Sequence, residues 1–161
     1  MSMNCSLDSM LRQVRVIADF QFGRGAGNAI FPDSCDFILS RTGRIRQITL
    51  AGKRLATVRA ADGRLTLGIE GAERFRASLD PPAYRVVVAG EVAEFIGQGK
   101  NVFARHVVTA DPAIRAGDEV VVVNPSDDLL ATGEAVLSGR EMLVFNYGLA
   151  VKVRQGIHHD A

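Results

Sequence analysis

The apolar residues of the first half fall into two successive patterns, one with the period of a helix and one with the period of strands. In residues 7–20 they recur every three or four positions, which predicts an amphipathic helix packed on a sheet. Short apolar runs between turn residues then predict a β-meander, with Asp62-Gly63 as a hairpin turn. The predicted strands are residues 37–40, 45–50, 55–60 and 65–69. A short helix over residues 70–79 ends before Pro81-Pro82, since proline cannot continue it.

The second half alternates short strands with two short helices. The strands are predicted over residues 84–88, 102–108, 120–123, 129–137 and 149–154, and the helices over 91–96 and 140–146. Closely spaced short strands of this kind favour a small closed or nearly closed barrel. We therefore predict an α+β chain with two domains and a tail. An N-terminal β-meander module with flanking helices occupies residues 1–82, the barrel occupies residues 83–157, and residues 158–161 form a flexible tail.

Composition limits the functions that the chain can have. With 161 residues, 47% of them hydrophobic and 23% charged, it can bury a core. It has no Trp and only 6% aromatic residues, so a nucleic-acid surface would depend on charge, amides and backbone more than on a broad stacking platform. No apolar run is long enough to cross a bilayer and the first residues do not resemble a signal peptide, so we expect a cytoplasmic protein without membrane contact.

Charge is distributed unevenly along the chain. Residues 1–80 carry 12 Lys/Arg against 8 Asp/Glu, a net +4, and residues 81–161 carry 7 against 10, a net −3. Residues 37–61 contain no acid and six cations. These are Arg41, Arg44, Arg46, Lys53, Arg54 and Arg59. The stretch could be one face that meets a polyanion, or a set of solvated strand edges, where Lys and Arg are also common.

The segment from Gly97 to Arg105 is the strongest candidate for a working surface. It follows the predicted helix 91–96 and leads into a strand on which apolar and basic residues alternate. Two glycines one residue apart permit a tight turn, with Lys100 and Asn101 at its exposed edge. A bare peptide edge next to a cation and an amide suits a phosphate or an unstacked nucleotide. The alternative is a helix C-cap glycine followed by an ordinary strand.

Other chemistry is weakly represented. The glycine-rich segment 23–28 lacks a P-loop ending and follows no strand, so we interpret it as a flexible connection. Cys5 and Cys35 lack metal spacing and are expected to be free thiols, and His158-His159 lack a third ligand at a suitable distance along the chain. The acid pairs at 118–119 and 127–128 are typical of solvated turns. We predict no catalytic residues, no metal and no cofactor.

Five segments of the second half, in their order and spacing, resemble a PUA domain over residues 83–156. They are Gly97-Gln98-Gly99-Lys100-Asn101-Val102-Phe103-Ala104-Arg105, Ile114 to Asn124, Leu130-Ala131-Thr132-Gly133, Glu141-Met142, and Gly148 to Gly156. Within the PUA group the sequence is most similar to the C-terminal region of archaeal tRNA-guanine transglycosylases of archaeosine biosynthesis. In the first half, Gln21-Phe22-Gly23, residues 40–46 and Ala56-Thr57-Val58-Arg59 resemble the α+β module that precedes this domain.

The resemblance implies a PUA-type pseudo-barrel that binds tRNA without the base-exchange chemistry. The family performs base exchange in a separate barrel with an aspartate nucleophile and a cysteine-rich zinc site, for which this chain has neither the length nor the cysteines. Matching positions imply that RNA lies along the glycine loop, the adjoining strand and the last strand. The implied RNA-binding residues are Gly99, Lys100, Asn101, Val102, Phe103, Arg105, Lys152 and Arg154. For Phe103 a place in the core is the alternative, as is common for an aromatic residue on a strand.

The resulting hypothesis is a noncatalytic RNA-binding protein that serves tRNA modification, as an accessory chain or subunit of a separate catalytic transglycosylase chain. Its partner would be structured RNA, tRNA in the first place. The alternative is a protein-interaction module of a larger RNA-processing or ribosome-related assembly without direct RNA contact, which the net −3 charge of the second half favours. A third possibility is a small enzyme that uses the segment 23–27.

Overall fold

The computed structural model describes residues 3–158, with side chains from residue 7 onward. This part of the chain forms two compact units, which divide between Ser78 and Leu79, and each has its own sheet. The predicted α+β class, with a meander module followed by a barrel-like module, is confirmed. The limits predicted for the two domains and the tail 158–161 remain predictions, and residues 159–161 of that tail lie outside the described residues.

The first unit is a four-stranded antiparallel meander with helices packed on it. Its strands lie in the order β1-β2-β3-β4. Its elements are α1 (Met3–Phe22), α2 (Ala26–Ile30), β1 (Asp36–Leu39), β2 (Ile45–Leu50), β3 (Lys53–Val58), β4 (Leu65–Leu67) and α3 (Ile69–Ser78). Val14 of α1, Ile48 and Leu55 of the sheet, and Phe75 of α3 are at most 1% exposed. Each such burial contributes roughly 1.5–3 kcal/mol, so the apolar face of each element fixes its orientation.

Helix α1 extends beyond the predicted residues 7–20 at both ends, and a polar residue in its last turn bonds to the sheet. The Gln21 side-chain amide donates to the Leu65 carbonyl oxygen at 2.9 Å, and its side-chain oxygen accepts from the Leu65 N–H at 2.7 Å. Strand β4 is at the edge of the meander, so Gln21 supplies hydrogen bonds that a further strand would otherwise provide.

The prediction of a flexible connection over residues 23–28 is wrong, because part of the segment is a packed helix. Helix α2 begins at Ala26, and the Gly27 N–H donates to the Asp19 carboxylate at 2.7 Å. A Cβ on Gly27 would lie 2.4 Å from the Arg15 carbonyl oxygen, so only glycine lets α2 approach α1 this closely. The glycine there serves helix packing.

The second unit is a nearly closed barrel. Its strands lie in the order β6-β10-β9-β8-β5-β7, with β5 and β8 parallel and every other neighbouring pair antiparallel. Its elements are β5 (Arg85–Val88), a 3-10 turn (Gly90–Val92), α4 (Ala93–Gly97), β6 (Val102–Phe103), a 3-10 turn (Ala104–His106), β7 (Val107–Ala110), β8 (Glu119–Val123), β9 (Leu129–Ala135), α5 (Gly139–Val144) and β10 (Leu149–Gly156). The interior is filled by valines and alanines, together with larger side chains that include Ile96 of α4 and Met142 of α5.

One predicted strand of this unit is in fact two. The apolar pattern over residues 102–108 continues without a break in the sequence, but the 3-10 turn Ala104–His106 interrupts it. Strand β6 then pairs with β10 at one edge of the sheet, whereas β7 pairs with β5 at the other. The turn therefore carries the chain from one edge to the other, which is how the sheet comes close to closing.

Two of the acids predicted to be solvated turn formers are instead partners of buried or half-buried arginines. Arg85 is 2% exposed, and its Nε and one Nη donate to the two carboxylate oxygens of Asp127 at 3.0 and 3.1 Å. Glu119 is 5% exposed and pairs with Arg154. Buried charges persist only when paired, so these bridges hold β5 to the β8–β9 connection and β8 to β10.

Candidate RNA-binding surface

The glycine loop after α4 is a helix C-cap of the Schellman type. Gly99 has φ +100°, the left-handed conformation that glycine adopts without a Cβ clash. The Gly99 N–H donates to the Ile96 carbonyl oxygen at 2.9 Å, and the Lys100 N–H donates to the Phe95 carbonyl oxygen at 3.1 Å. These are the two bonds that define the motif, and they satisfy carbonyls that the helix leaves without partners.

This geometry confirms the C-cap interpretation and changes how the loop could bind a phosphate. The N–H groups of Gly99 and Lys100 bond to the helix, so they do not form the bare peptide edge that the sequence suggested. The Lys100 side chain is exposed beside them. The side-chain donors of this loop for an anion are therefore the Lys100 ammonium group and the amide nitrogen of exposed Asn101, whose oxygen alone takes part in the bond to Val153.

Asn101 and Val102 hold the loop on the barrel. The Asn101 side-chain oxygen accepts from the Val153 N–H of β10 at 2.9 Å. Val102 is fully buried, so its side chain does not reach the surface. At the end of β10, the Gly97 carbonyl oxygen accepts from the His158 N–H at 2.7 Å. Two hydrogen bonds thus tie the loop to the last strand and to the residues that follow it.

Phe103 and Arg105 lie on the surface next to the loop. Phe103 is 43% exposed, so the alternative that placed it in the core is wrong. The guanidinium carbon of Arg105 lies 5.8 Å from the centre of the Phe103 ring, within reach of a cation–π interaction worth about 0.5–1 kcal/mol at exposed sites. Together they present an aromatic face and a positive charge to solvent.

The two cations predicted on the last strand differ in their surroundings. Lys152 is exposed and lies opposite Glu134 in the β9–β10 ladder. Arg154 is bound to the carboxylate of buried Glu119, and its own side chain is 32% exposed. Because leaving Glu119 unpaired in the barrel would be costly, Arg154 is held in place by the fold. The predicted residues whose side chains remain open to a ligand are Lys100, Phe103, Arg105 and Lys152, together with the amide nitrogen of Asn101.

The sequence matches two families along its length. Residues 12–82 match the patch-forming domain C2 of tRNA-guanine transglycosylase, and residues 84–157 match the PUA domain. The chain is a C2 domain followed by a PUA domain. The two domains are 56% identical over 150 residues to the tRNA-guanine(15) transglycosylase of Pyrococcus abyssi strain GE5 / Orsay, covering 93% of this chain and 25% of that protein. The resemblance to the C-terminal region of these enzymes is confirmed, and the chain spans about a quarter of the length of the curated relatives it matches.

Solved structures show the same fold. A hypothetical protein from Pyrococcus horikoshii OT3 superposes with a TM-score of 0.74 at 23% identity, covering 94% of this chain and 92% of that one. A PUA domain protein from Thermoplasma acidophilum superposes with a TM-score of 0.66 at 17% identity, covering 96% and 92%. Both likenesses extend over the C2 and PUA domains.

Two exposed aromatic residues of the PUA domain were missed from the sequence. Phe145 and Tyr147 are 38% and 74% exposed, and their ring centres are 6.2 Å apart with an angle of 24° between the planes. The predicted helix 140–146 was expected to contain Phe145, but α5 ends at Val144 and Phe145 is extended. The pattern of alternate aromatic residues just before Gly148 could have revealed them, since alternation indicates extended chain.

In the C2 domain the basic stretch 37–61 is divided between open and paired cations. Arg41, Arg44 and Arg46 are exposed at the β1–β2 turn and along β2. The others have partners in the same domain: Lys53 with Glu70 at 3.3 Å, Arg54 with the Thr57 hydroxyl at 3.0 Å and Arg59 with Asp62 at 3.7 Å. Exposed ion pairs are weak, so the paired cations of this stretch can still exchange their partners for another anion.

The remaining candidate chemistry can be placed as well. Cys35 is a free, buried thiol, and burial raises its pKa, which makes it a poor nucleophile at neutral pH. The Cys5 side chain and His159 lie outside what the structure describes. Across residues 7–158 no group of three His, Cys, Asp or Glu side chains is arranged to hold a metal ion.

Within the described helices, none combines the length and the apolar character needed to cross a membrane.

Proposed function

We propose that this chain is a noncatalytic RNA-binding protein that holds structured RNA, tRNA in the first place, while a separate transglycosylase chain of archaeosine type performs the base exchange. The observation that carries this proposal is the 56% identity to the C-terminal region of a tRNA-guanine(15) transglycosylase over nearly the whole chain. A protein that serves tRNA in this way would work in the cytoplasm.

The PUA surface supplies groups suited to this role. Three exposed cations lie in the loop after α4, in the 3-10 turn after β6 and on β10, namely Lys100, Arg105 and Lys152. Cations of this kind contact phosphates and set affinity, and they release counterions from the nucleic acid when it binds. Phe103 adds a ring that an unpaired base can stack against.

The first test is a titration of the full chain with total tRNA and with duplex DNA of equal length at two salt concentrations. We expect tighter binding to tRNA, with a log–log salt slope of roughly −3 to −5, which corresponds to a few phosphate contacts. Absence of binding to tRNA at low salt would contradict the proposal.

Charge reversal at Lys100 tests the surface itself. Lys100→Glu should weaken tRNA binding and reduce the magnitude of the salt slope by about one, while the melting temperature stays nearly unchanged because the side chain is exposed. The matched control is Arg115→Glu, which makes the same change of charge in the exposed β7–β8 connection, where neither flanking strand pairs with β6 or β10. Equal losses in the two variants would mean that only net charge matters and that this loop is not the site.

A protein-interaction module is the second candidate function. It is favoured by the net −3 charge of residues 81–161 and by Leu143 and Val144, which are 52% and 77% exposed on α5. A module of this kind would show no salt-dependent binding to tRNA. It would instead bind a protein of a larger RNA-processing or ribosome-related assembly, and Val144→Asp would weaken that complex.

A further inference from the structure

The aromatic pair that precedes β10 is an unusual surface for a domain with few aromatic residues. Phe145 and Tyr147 present nearly parallel rings, and Tyr147 leaves 74% of its surface in solvent. The neighbouring polar residue Asn146 is exposed as well, so no side chain covers the pair from within this segment. A large ring that the fold leaves open contributes little to folding, and grouped exposed apolar side chains are typical of interaction sites.

The backbone brings this pair next to Phe103 and Arg105. Phe103 and Leu149 are partners in the β6–β10 ladder, and the Ala104 N–H donates to the Gly148 carbonyl oxygen at 2.9 Å. Tyr147 therefore leads directly into the strand that lies beside Phe103. The segment that connects α5 to β10 and carries the aromatic pair is therefore joined by its backbone to the chain that carries Phe103 and Arg105.

The chemistry of this surface selects its ligand. Every nucleobase offers a flat π face, and base–aromatic stacking does not depend on sequence. A base can use this surface only when it is unpaired and splayed from its neighbours, as in a loop, bulge or single-stranded end. Lys100, Arg105 and Lys152 lie on the adjoining elements, so a negatively charged backbone would be attracted to the same region.

We propose that Phe145 and Tyr147 form a stacking platform for unpaired nucleobases of a single-stranded segment in the bound RNA. This inference rests on the proposed RNA-binding function and adds a second subsite to it. The Lys100 side of the surface holds phosphates, and the Phe145–Tyr147 side distinguishes RNA with unpaired bases from RNA that is fully paired.

The test compares RNA hairpins that share the same stem. One is blunt, one has a four-nucleotide unpaired tail at its 5′ end, and one has that tail at its 3′ end. The full wild-type chain should prefer a tailed hairpin. Tyr147→Ala should lose about 5- to 100-fold in affinity for that hairpin, the range expected for one stacked base, and should bind the blunt hairpin as before. Tyr147→Phe keeps the ring and should restore the preference. Val108→Ala is the control, because Val108 is a 57% exposed residue without a ring on β7, and it should leave both affinities unchanged.

Tyrosine fluorescence gives a direct readout. The chain has no Trp and two Tyr, so Tyr84→Phe leaves Tyr147 as the sole strong emitter. Stacking of a base on Tyr147 should quench its emission with the tailed hairpin and not with the blunt one. Unchanged emission and unchanged affinity in Tyr147→Ala, with Lys100→Glu still weakening binding, would overturn the platform and leave RNA binding intact.

Two other outcomes would also overturn the platform. If neither hairpin binds, the proposed function fails together with the subsite. If Tyr147→Ala and Val144→Ala both abolish binding to a catalytic transglycosylase chain while hairpin affinities stay equal to wild type, the patch is a protein-docking surface.

Discussion

The closest backbone approach at the candidate surface is between Gly156 and the glycine loop. A Cβ on Gly156 would lie 2.3 Å from the Gly97 carbonyl oxygen and 2.7 Å from the Gly99 amide nitrogen. Both are backbone atoms, so Gly156→Ala would have to move the loop from β10 by roughly 1 Å to restore van der Waals distances. The same Gly97 oxygen accepts from the His158 N–H, so this bond would be disturbed as well.

Overpacking of this kind typically costs about 1–3 kcal/mol. In a domain of this size such a loss lowers the melting temperature by roughly 5–20 °C. Because the loop carries Lys100, tRNA affinity should also fall even at temperatures where the variant is fully folded. The measurements are a thermal melt followed by circular dichroism and a tRNA titration at 20 °C below the variant's own midpoint.

Gly90→Ala is the matched control. No atom lies within 4 Å of the Cβ that it would add, and Gly90 begins the 3-10 turn that precedes α4. The control should keep its stability within about 0.5 kcal/mol and bind tRNA normally. If Gly156→Ala also melts within about 2 °C of wild type, the contact with the loop does not constrain the fold, and the reasoning fails.

Two further predictions concern charges in the PUA domain. Asp127→Ala should lower the free energy of unfolding of this domain by about 3 kcal/mol, near the lower end for a broken buried pair, because Asp127 is 31% exposed. Chemical denaturation measures this loss. An unchanged denaturation midpoint would mean that Arg85 finds another partner. Burial, aided by the Asp118 and Asp111 carboxylates and opposed by Arg115, raises the pKa of Tyr84 from 10.0. The fold therefore favours the neutral phenol, and this stabilisation is complete below pH 10 and is lost as the pH rises through the folded-state pKa. Tyr84→Phe should gain stability relative to wild type as the pH rises from 9 to about 11. If the difference in unfolding free energy between variant and wild type stays constant over this range, the environment of Tyr84 does not disfavour its ionised form.

Elements that bury one face could be predicted from the sequence. The three-and-four spacing in α1 and the turns of the meander are local patterns, because burial on one side dictates them residue by residue. The exposure of Lys100 could also be predicted, because Lys100 comes directly after two glycines that form a tight turn. These predictions needed no knowledge of distant neighbours.

Partners that come from distant parts of the chain could not be predicted. Arg154 meets Glu119 from 35 residues away, and Asn101 meets Val153 from 52 residues away. Both contacts depend on which strands become neighbours in the closed sheet, and this is a property of the whole domain. For the same reason a continuous apolar run could not show that residues 102–108 divide between two edges.

The end of α5 was misplaced for a more local reason. The residues after Val144 contain neither proline nor glycine until Gly148, so nothing in their composition marks a helix end. The chain nevertheless becomes extended at Phe145. The one sequence signal against a helix here was the alternation of Phe145 and Tyr147 before Gly148, which indicates extended chain.

The crossing of Val102–Ala110 from one edge of the PUA sheet to the other also protects the domain from its own copies. A long open edge strand is a template on which a second molecule can add a strand. Here the two edges are β6 and β7, with two and four residues, and one 3-10 turn joins them. Edges this short offer few free backbone groups in a row, so the segment from β6 to β7 leaves little opportunity for strand-to-strand aggregation.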